Sequence, residues 1–132
     1  MQSLDTNITL RILLRDVPEQ LNKVVALIDA SKSGSLGIAD AVFFECVWIL
    51  SGNYYDFDRE LIGKLLLQVA DIPQVNCNRS MLEKAVPLYV KHENISFVDA
   101  CLAVYAELND AMPLLTFDKK LATALPKLVS IL

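Results

Sequence analysis

Apolar positions along this chain recur in short runs, some with the alternation of strands and others with the roughly 3.6-residue spacing of helices. Residues 2–5 read as a first strand. From about 8 to 15, Ile8, Leu10, Ile12, Leu13 and Leu14 mix with Arg11 and Arg15 at helical spacing. Pro18 fits the first turn of a second helix, Glu19 to Ala30, whose apolar face includes Leu21, Val24, Val25 and Ile28. A Ser-Lys-Ser-Gly-Ser turn follows, then a short strand at Leu36 to Ala39 and a buried helix at Ala41 to Leu50. The segment 51–58 is a loop, and its last residue, Asp58, caps a helix over 59–71. Gln74 to Cys77 is a short strand. Ser80-Met-Leu-Glu83 has the form of a capping box and opens a helix; Ser96-Phe-Val-Asp99 repeats the form and opens another that runs to Asn109. Leu114 to Phe117 is a strand, Lys119 to Ala124 a short helix, and Leu128 to Leu132 a last strand. Strands alternating with helices predict a mainly parallel sheet covered on both faces.

No linker interrupts this alternation, and 132 residues is an ordinary length for one domain, so 1–132 is expected to fold as one unit. With 54% apolar residues the chain can bury a substantial core, which excludes disorder. No apolar stretch approaches the ~18 residues of a membrane span, and Asp5 interrupts the start too early for a signal peptide. A cytoplasmic protein is expected. Cys46, Cys77 and Cys101 form no CxxC pair, so neither a disulfide framework nor a zinc site is expected. The single His, His92, stands between Lys91 and Glu93 as a surface residue. One imidazole also excludes RNA cleavage by a pair of histidines acting as acid and base.

Four acids stand out against this pattern. Asp5 closes the first apolar segment, and Glu45 is the only charge in 41–50. Asp99 is the only charge in 95–106, and Asp118 ends 113–118. A carboxylate held among apolar side chains needs a partner to offset its lost hydration, and one divalent cation could serve all four. Asp5 and Asp118 fall at predicted strand C-termini, where α/β sheets collect ligands. The net charge of −4 vanishes if those four are neutralised, so acidity does not exclude a nucleic-acid partner. Each acid also has a purely structural explanation. In that explanation Asp5 or Asn7 caps the following helix, Asp99 completes a box with Ser96, and Asp118 caps the helix at Lys119. Glu45 there pairs with Arg11 or Arg15. Nearby, Arg11, Arg15, Lys119 and Lys120 are candidate RNA-phosphate contacts or ordinary surface charge. Tyr54 and Tyr55 either stack on unpaired bases or pack in their turn.

The segment Leu4-Asp-Thr-Asn-Ile-Thr-Leu-Arg-Ile-Leu-Leu-Arg15 resembles the opening of the PIN domain, especially as found in VapC-type toxins. Phe44-Glu-Cys-Val-Trp-Ile-Leu50, Phe97-Val-Asp-Ala100 and Leu115-Thr-Phe-Asp118 follow in that family's order. The resemblance covers the whole chain, and Thr9 is a minor departure in an aliphatic stretch. It implies a three-layer α/β/α sandwich with a central, mainly parallel sheet. It also implies a metal-dependent ribonuclease site built from Asp5, Glu45, Asp99 and Asp118, with Thr6, Asn7 and Thr116 orienting the acids. By the same resemblance the chain is a toxin, a homodimer inhibited by an antitoxin, with the helices near 8–15 and 19–30 as candidate antitoxin surfaces.

Mg²⁺ or Mn²⁺ suits such oxygen donors. A water nucleophile activated by the ion leaves a 5′-phosphate and a 3′-hydroxyl. Clustered carboxylates are expected to raise at least one of their pKa values in the absence of metal. Two alternatives stay open: a PIN-like RNA-processing nuclease without an antitoxin, and a receiver-type phosphoacceptor that also binds Mg²⁺ at strand ends. The latter needs adjacent acids after the first strand and a late-strand Lys, and Leu4-Asp5-Thr6 does not supply the pair.

Overall fold

Leu36 and Ile38, expected in a short strand, are almost wholly buried at the centre of a small parallel sheet. The computed structural model describes all 132 residues, which fall into two compact units, Met1–Asn78 and Arg79–Leu132. The first contains β1 (Gln2–Ser3), α1 (Thr6–Leu14), α2 (Pro18–Ala30), β2 (Leu36–Gly37), α3 (Asp40–Ser51), α4 (Arg59–Ala70) and β3 (Val75–Asn76). Its strands lie in the order β1-β2-β3, all parallel, with Gln2 opposite Leu36 and Leu36 opposite Val75. Backbone bonds from Leu4 to Gly37 and from Ile38 to Asn76 carry the ladder one residue further. Each parallel step is bridged by two helices, as a crossover requires.

So short a sheet relies on its helices. α1 packs against α2, α3 and α4, and Phe43, Cys46, Leu50, Ile62 and Leu66 are fully buried. Each large apolar side chain so buried contributes about 1.5–3 kcal/mol. Thr9, the polar residue in the aliphatic stretch of α1, is the one buried polar side chain. Its hydroxyl donates to the Asp5 carbonyl at 2.9 Å, so burial leaves no orphan group. The 31–35 turn uses Gly34 at φ 69°, a conformation glycine adopts without a Cβ clash.

The second unit contains α5 (Arg79–Lys91), α6 (Phe97–Leu108), β4 (Leu114–Thr116), α7 (Lys119–Ala124) and β5 (Val129–Ile131). β4 and β5 are parallel, Leu114 opposite Val129 and Thr116 opposite Ile131. α5 and α6 pack on each other and bury Ala85, Ala100 and Ala103 completely. The ring edges of Tyr89 and Phe97 meet with centroids 5.4 Å apart. The α/β class with parallel strands is therefore as expected.

Three local expectations are corrected. The first strand stops at Ser3, because Asp5 already caps α1 and the helix begins two residues earlier than periodicity indicated. α5 begins at Arg79, so Ser80 lies inside the helix and cannot cap it; Glu83 instead faces Arg79 across one turn at 3.4 Å. α3 is not buried all round: Ala41, Glu45 and Trp48 form an exposed stripe at helical spacing.

Candidate active site

The two strand-to-helix turns that carry acids are built alike. In the first, β1 runs through buried Leu4 to Asp5, whose Oδ1 accepts the Ile8 N–H at 3.0 Å as the N-cap of α1. In the second, β4 ends at Thr116, whose Oγ1 accepts the Asp118 N–H at 3.0 Å. The Asp118 Oδ1 in turn accepts the N–H groups of Lys120 at 2.9 Å and Leu121 at 3.3 Å. Both aspartates are thus true caps, and each caps with a single oxygen. A carboxylate has two, so each keeps Oδ2 for another partner.

Asp99 behaves differently. Ser96 Oγ accepts the Asp99 N–H at 3.0 Å as the N-cap of α6, which is half of a capping box. The return bond is missing: the Asp99 carboxylate makes no hydrogen bond or ion pair. Its structural explanation therefore fails, and both of its oxygens are open.

Glu45 also departs from its structural alternative. Neither Arg11 nor Arg15 pairs with it. Arg11 Nε lies 3.2 Å from Asp16 Oδ1, close enough for an ion pair but off the angle of a hydrogen bond. Glu45 Oε2 instead accepts the Thr6 hydroxyl at 3.0 Å. The hydroxyl next to Asp5 thus fixes Glu45, which brings the first two acids to one corner of the first unit. Behind this corner, burial pushes the Cys46 thiol up to about 12, and the Glu45 charge adds to the effect. No cysteine is in a disulfide: Cys46 and Cys101 are buried, and Cys77 is half-buried.

The premise that the four acids are buried is wrong. Asp5, Glu45 and Asp118 are exposed and Asp99 is half-buried. Helix periodicity placed Glu45 and Trp48 inside because the whole of α3 is apolar except Glu45, whereas packing leaves that one stripe to solvent. Exposure lowers the desolvation cost of holding charge, and it also opens the acids to substrate. Neither unit by itself gathers three or more Asp, Glu, His or Cys side chains in a metal-binding array. Asp5 and Glu45 belong to the first unit, Asp99 and Asp118 to the second.

The remaining candidates are placed as follows. Asn7 is exposed with a free amide, and it lines a cavity of about 300 Å³ between α1 and α2. Ile8, Val24 and Leu27 give that cavity an apolar lining, and Arg11, Gln20 and Lys23 add polar groups to it. Arg15 borders a second cavity, about 220 Å³, between α1 and α4. Lys119 and Lys120 are exposed at the start of α7. Tyr55 packs edge-on against Tyr54 and Phe57, with centroids 4.8 and 5.6 Å away, while Tyr54 is 90% exposed. Apolar periodicity did not single out Gln20 and Lys23, which line the same cavity as Asp5 once α2 folds back on α1.

Parallel strands whose C-terminal turns carry aspartates are the α/β arrangement in which ligands collect at strand ends. Residues 3–124 match the PIN domain family, and the chain belongs to that family. The match runs across both units. No curated protein matches the chain. PIN domains are generally nucleases that use divalent metal ions, and membership implies a nuclease acting on RNA. No helix is long and apolar enough to cross a membrane.

Proposed function

We propose that this chain is a metal-dependent endoribonuclease, the toxin of a toxin–antitoxin pair, with 1–132 acting as one domain. Asp5, Glu45, Asp99 and Asp118 are its metal-binding and catalytic acids. The observation that carries this reading is the Asp99 carboxylate, which is half-buried in the first turn of α6 and engaged with nothing.

The donor chemistry fits Mg²⁺ or Mn²⁺. Oδ2 of Asp5 and Asp118, Oε1 of Glu45 and both oxygens of Asp99 have no partner, and hard cations of this kind prefer carboxylate oxygen. When bound, the ion lowers the pKa of a coordinated water and offsets charge on the phosphoryl oxygens. The chain's own residues do the rest. Thr6 holds the Glu45 carboxylate in one orientation, and the backbone N–H groups of Ile8, Lys120 and Leu121 fix Asp5 and Asp118. Lys119 and Lys120 are exposed cations beside Asp118 in sequence and can hold RNA phosphates. Arg11 is less suited to this role, since Asp16 already engages it, while Arg15 remains unpaired at the C-cap of α1. With water as the nucleophile, cleavage leaves a 5′-phosphate and a 3′-hydroxyl.

The antitoxin and homodimer belong to the same reading. The apolar-lined cavity between α1 and α2 supports an antitoxin surface on these two helices, because such a groove accepts an apolar side chain from a protein segment. A cytoplasmic location belongs to the same reading.

The test is cleavage of a mixed RNA pool with Mg²⁺ or Mn²⁺, with EDTA, and with folded Asp99→Asn protein. Cleavage that needs both the metal and Asp99 and leaves 5′-phosphate ends establishes the ribonuclease. Activity unchanged in EDTA or in the variant overturns the four-acid site. Growth arrest on expression, relieved by the product of a neighbouring small gene, establishes the toxin role.

A further inference from the structure

Trp48 is the only tryptophan of the chain, and it is 78% exposed. Large aromatic side chains are ordinarily mostly buried, because their area dominates core energetics. This one stands largely in solvent: its indole N–H has no hydrogen-bond partner and its ring no aromatic neighbour. It lies three residues after Glu45 on α3, and residues so spaced are neighbours on a helix surface, with Cβ atoms ~5–6 Å apart. Glu45 is held by Thr6, beside Asp5. The exposed stripe of α3 therefore presents a small residue, an acid and an aromatic ring in succession, Ala41, Glu45 and Trp48.

We propose that Trp48 is a stacking platform for an unpaired nucleobase of the RNA, next to the phosphate handled at Asp5 and Glu45. This inference rests on the ribonuclease reading and deepens it by adding a substrate-binding residue to the same site. A protein partner fits the stripe less well. Trp48 is the only large apolar side chain that α3 exposes, and its neighbour is a carboxylate. A protein interface needs about 800 Å² from each side, and α3 brings a single ring towards it. A single flat π-system beside a site for phosphodiester chemistry matches one base, and stacking on aromatic rings is how proteins capture bases that have left a helix. A base paired in a duplex cannot offer its face, so duplex RNA is a poor substrate.

Because Trp48 is the sole tryptophan, it reports on itself. Full-length Asp99→Asn protein is titrated with a labelled single-stranded oligoribonucleotide and with a duplex of equal length, following tryptophan emission and RNA anisotropy together. Stacking predicts quenching by the single strand at the concentrations where anisotropy rises, with little quenching by the duplex. In an otherwise wild-type chain, Trp48→Ala raises KM about tenfold, in keeping with stacking worth ~1–3 kcal/mol per base, and changes kcat less than threefold. Trp48→Phe, which keeps an aromatic face, restores most of the loss. Binding without any change in emission, or an unaltered KM in Trp48→Ala, overturns the inference while leaving the ribonuclease intact. Emission that shifts with protein concentration and ignores RNA also overturns it, and assigns the stripe to a second copy of the chain. Wild-type protein that cleaves no RNA with either metal overturns the ribonuclease reading itself, and this inference with it.

Discussion

Thr6 Oγ1 donates to Glu45 Oε2 at 3.0 Å, across 39 residues of sequence. This bond ties the first turn of α1 to the middle of α3 and fixes an exposed carboxylate that would otherwise sample several rotamers. It predicts that Thr6→Val lowers kcat roughly tenfold, the size expected when a reacting group loses its positioning. Stability changes by less than about 0.5 kcal/mol, as for other surface substitutions. Thr6→Ser keeps the hydroxyl and most of the activity. Steady-state cleavage with thermal unfolding of both variants checks this, and an equal loss in Thr6→Ser would remove the hydroxyl from the explanation.

Asp118 combines a structural role with a proposed chemical one, and two substitutions separate them. Asp118→Asn retains an oxygen to cap α7 and loses the charge, so the fold is kept and cleavage falls at least a hundredfold. Asp118→Ala loses the cap as well and costs about 1 kcal/mol more. Denaturant midpoints read the first quantity and RNA cleavage the second. Equal stabilities for the two variants would mean that the cap contributes nothing.

Asp99 has no structural partner. Asp99→Asn is therefore expected to melt within about 2 °C of the wild type, since its ΔΔG stays in the surface range. It should also lose most of the thermal stabilisation that Mn²⁺ gives the wild-type chain, because ligands that bind the folded state raise its stability. Melting curves with and without Mn²⁺ test both statements without any RNA. A variant stabilised as much as the wild type would place the ion elsewhere.

Cys46 contributes to the alkaline limb of stability. Its thiol is pushed from 9.0 up to about 12 by burial and by Glu45, so the folded state holds this proton more tightly than the unfolded chain does. The stabilisation is full below about pH 9, the unfolded value, and is lost as pH rises from there towards 12. Cys46→Ala should flatten that limb while lowering stability at pH 7 through the small cavity it leaves. Urea midpoints between pH 7 and 10.5 check it. In the same range Cys46 should resist alkylation in the native state, whereas half-buried Cys77 reacts first.

Val17 takes φ 51° as the N-cap of α2, a left-handed conformation that crowds a β-branched side chain. Pro18 follows it at the first position of the helix. Val17→Asn should stabilise the chain by about 1 kcal/mol, because Asn tolerates this region. An unchanged or lower denaturant midpoint would show that the exposed valine packs usefully after all.

The alternation of apolar periods determined the element order and the α/β class, because each helix and strand must bury a face whose spacing is written in the chain. The caps at Asp5, Asp58, Ser96 and Asp118 were equally legible, since a short polar side chain before an apolar run acts over only two or three residues. Tertiary structure decided what local rules cannot reach. Glu45 and Trp48 read as buried because α3 is almost uniformly apolar, and only the packing of α1 and α4 around it selects which stripe meets solvent. The partner of Glu45 turned out to be Thr6 rather than an arginine, because Arg11 is already engaged by Asp16. Capping acts within one turn of helix and can be read from sequence. Exposure and the pairing of distant side chains depend on how whole helices pack, and that is fixed only once the core has formed.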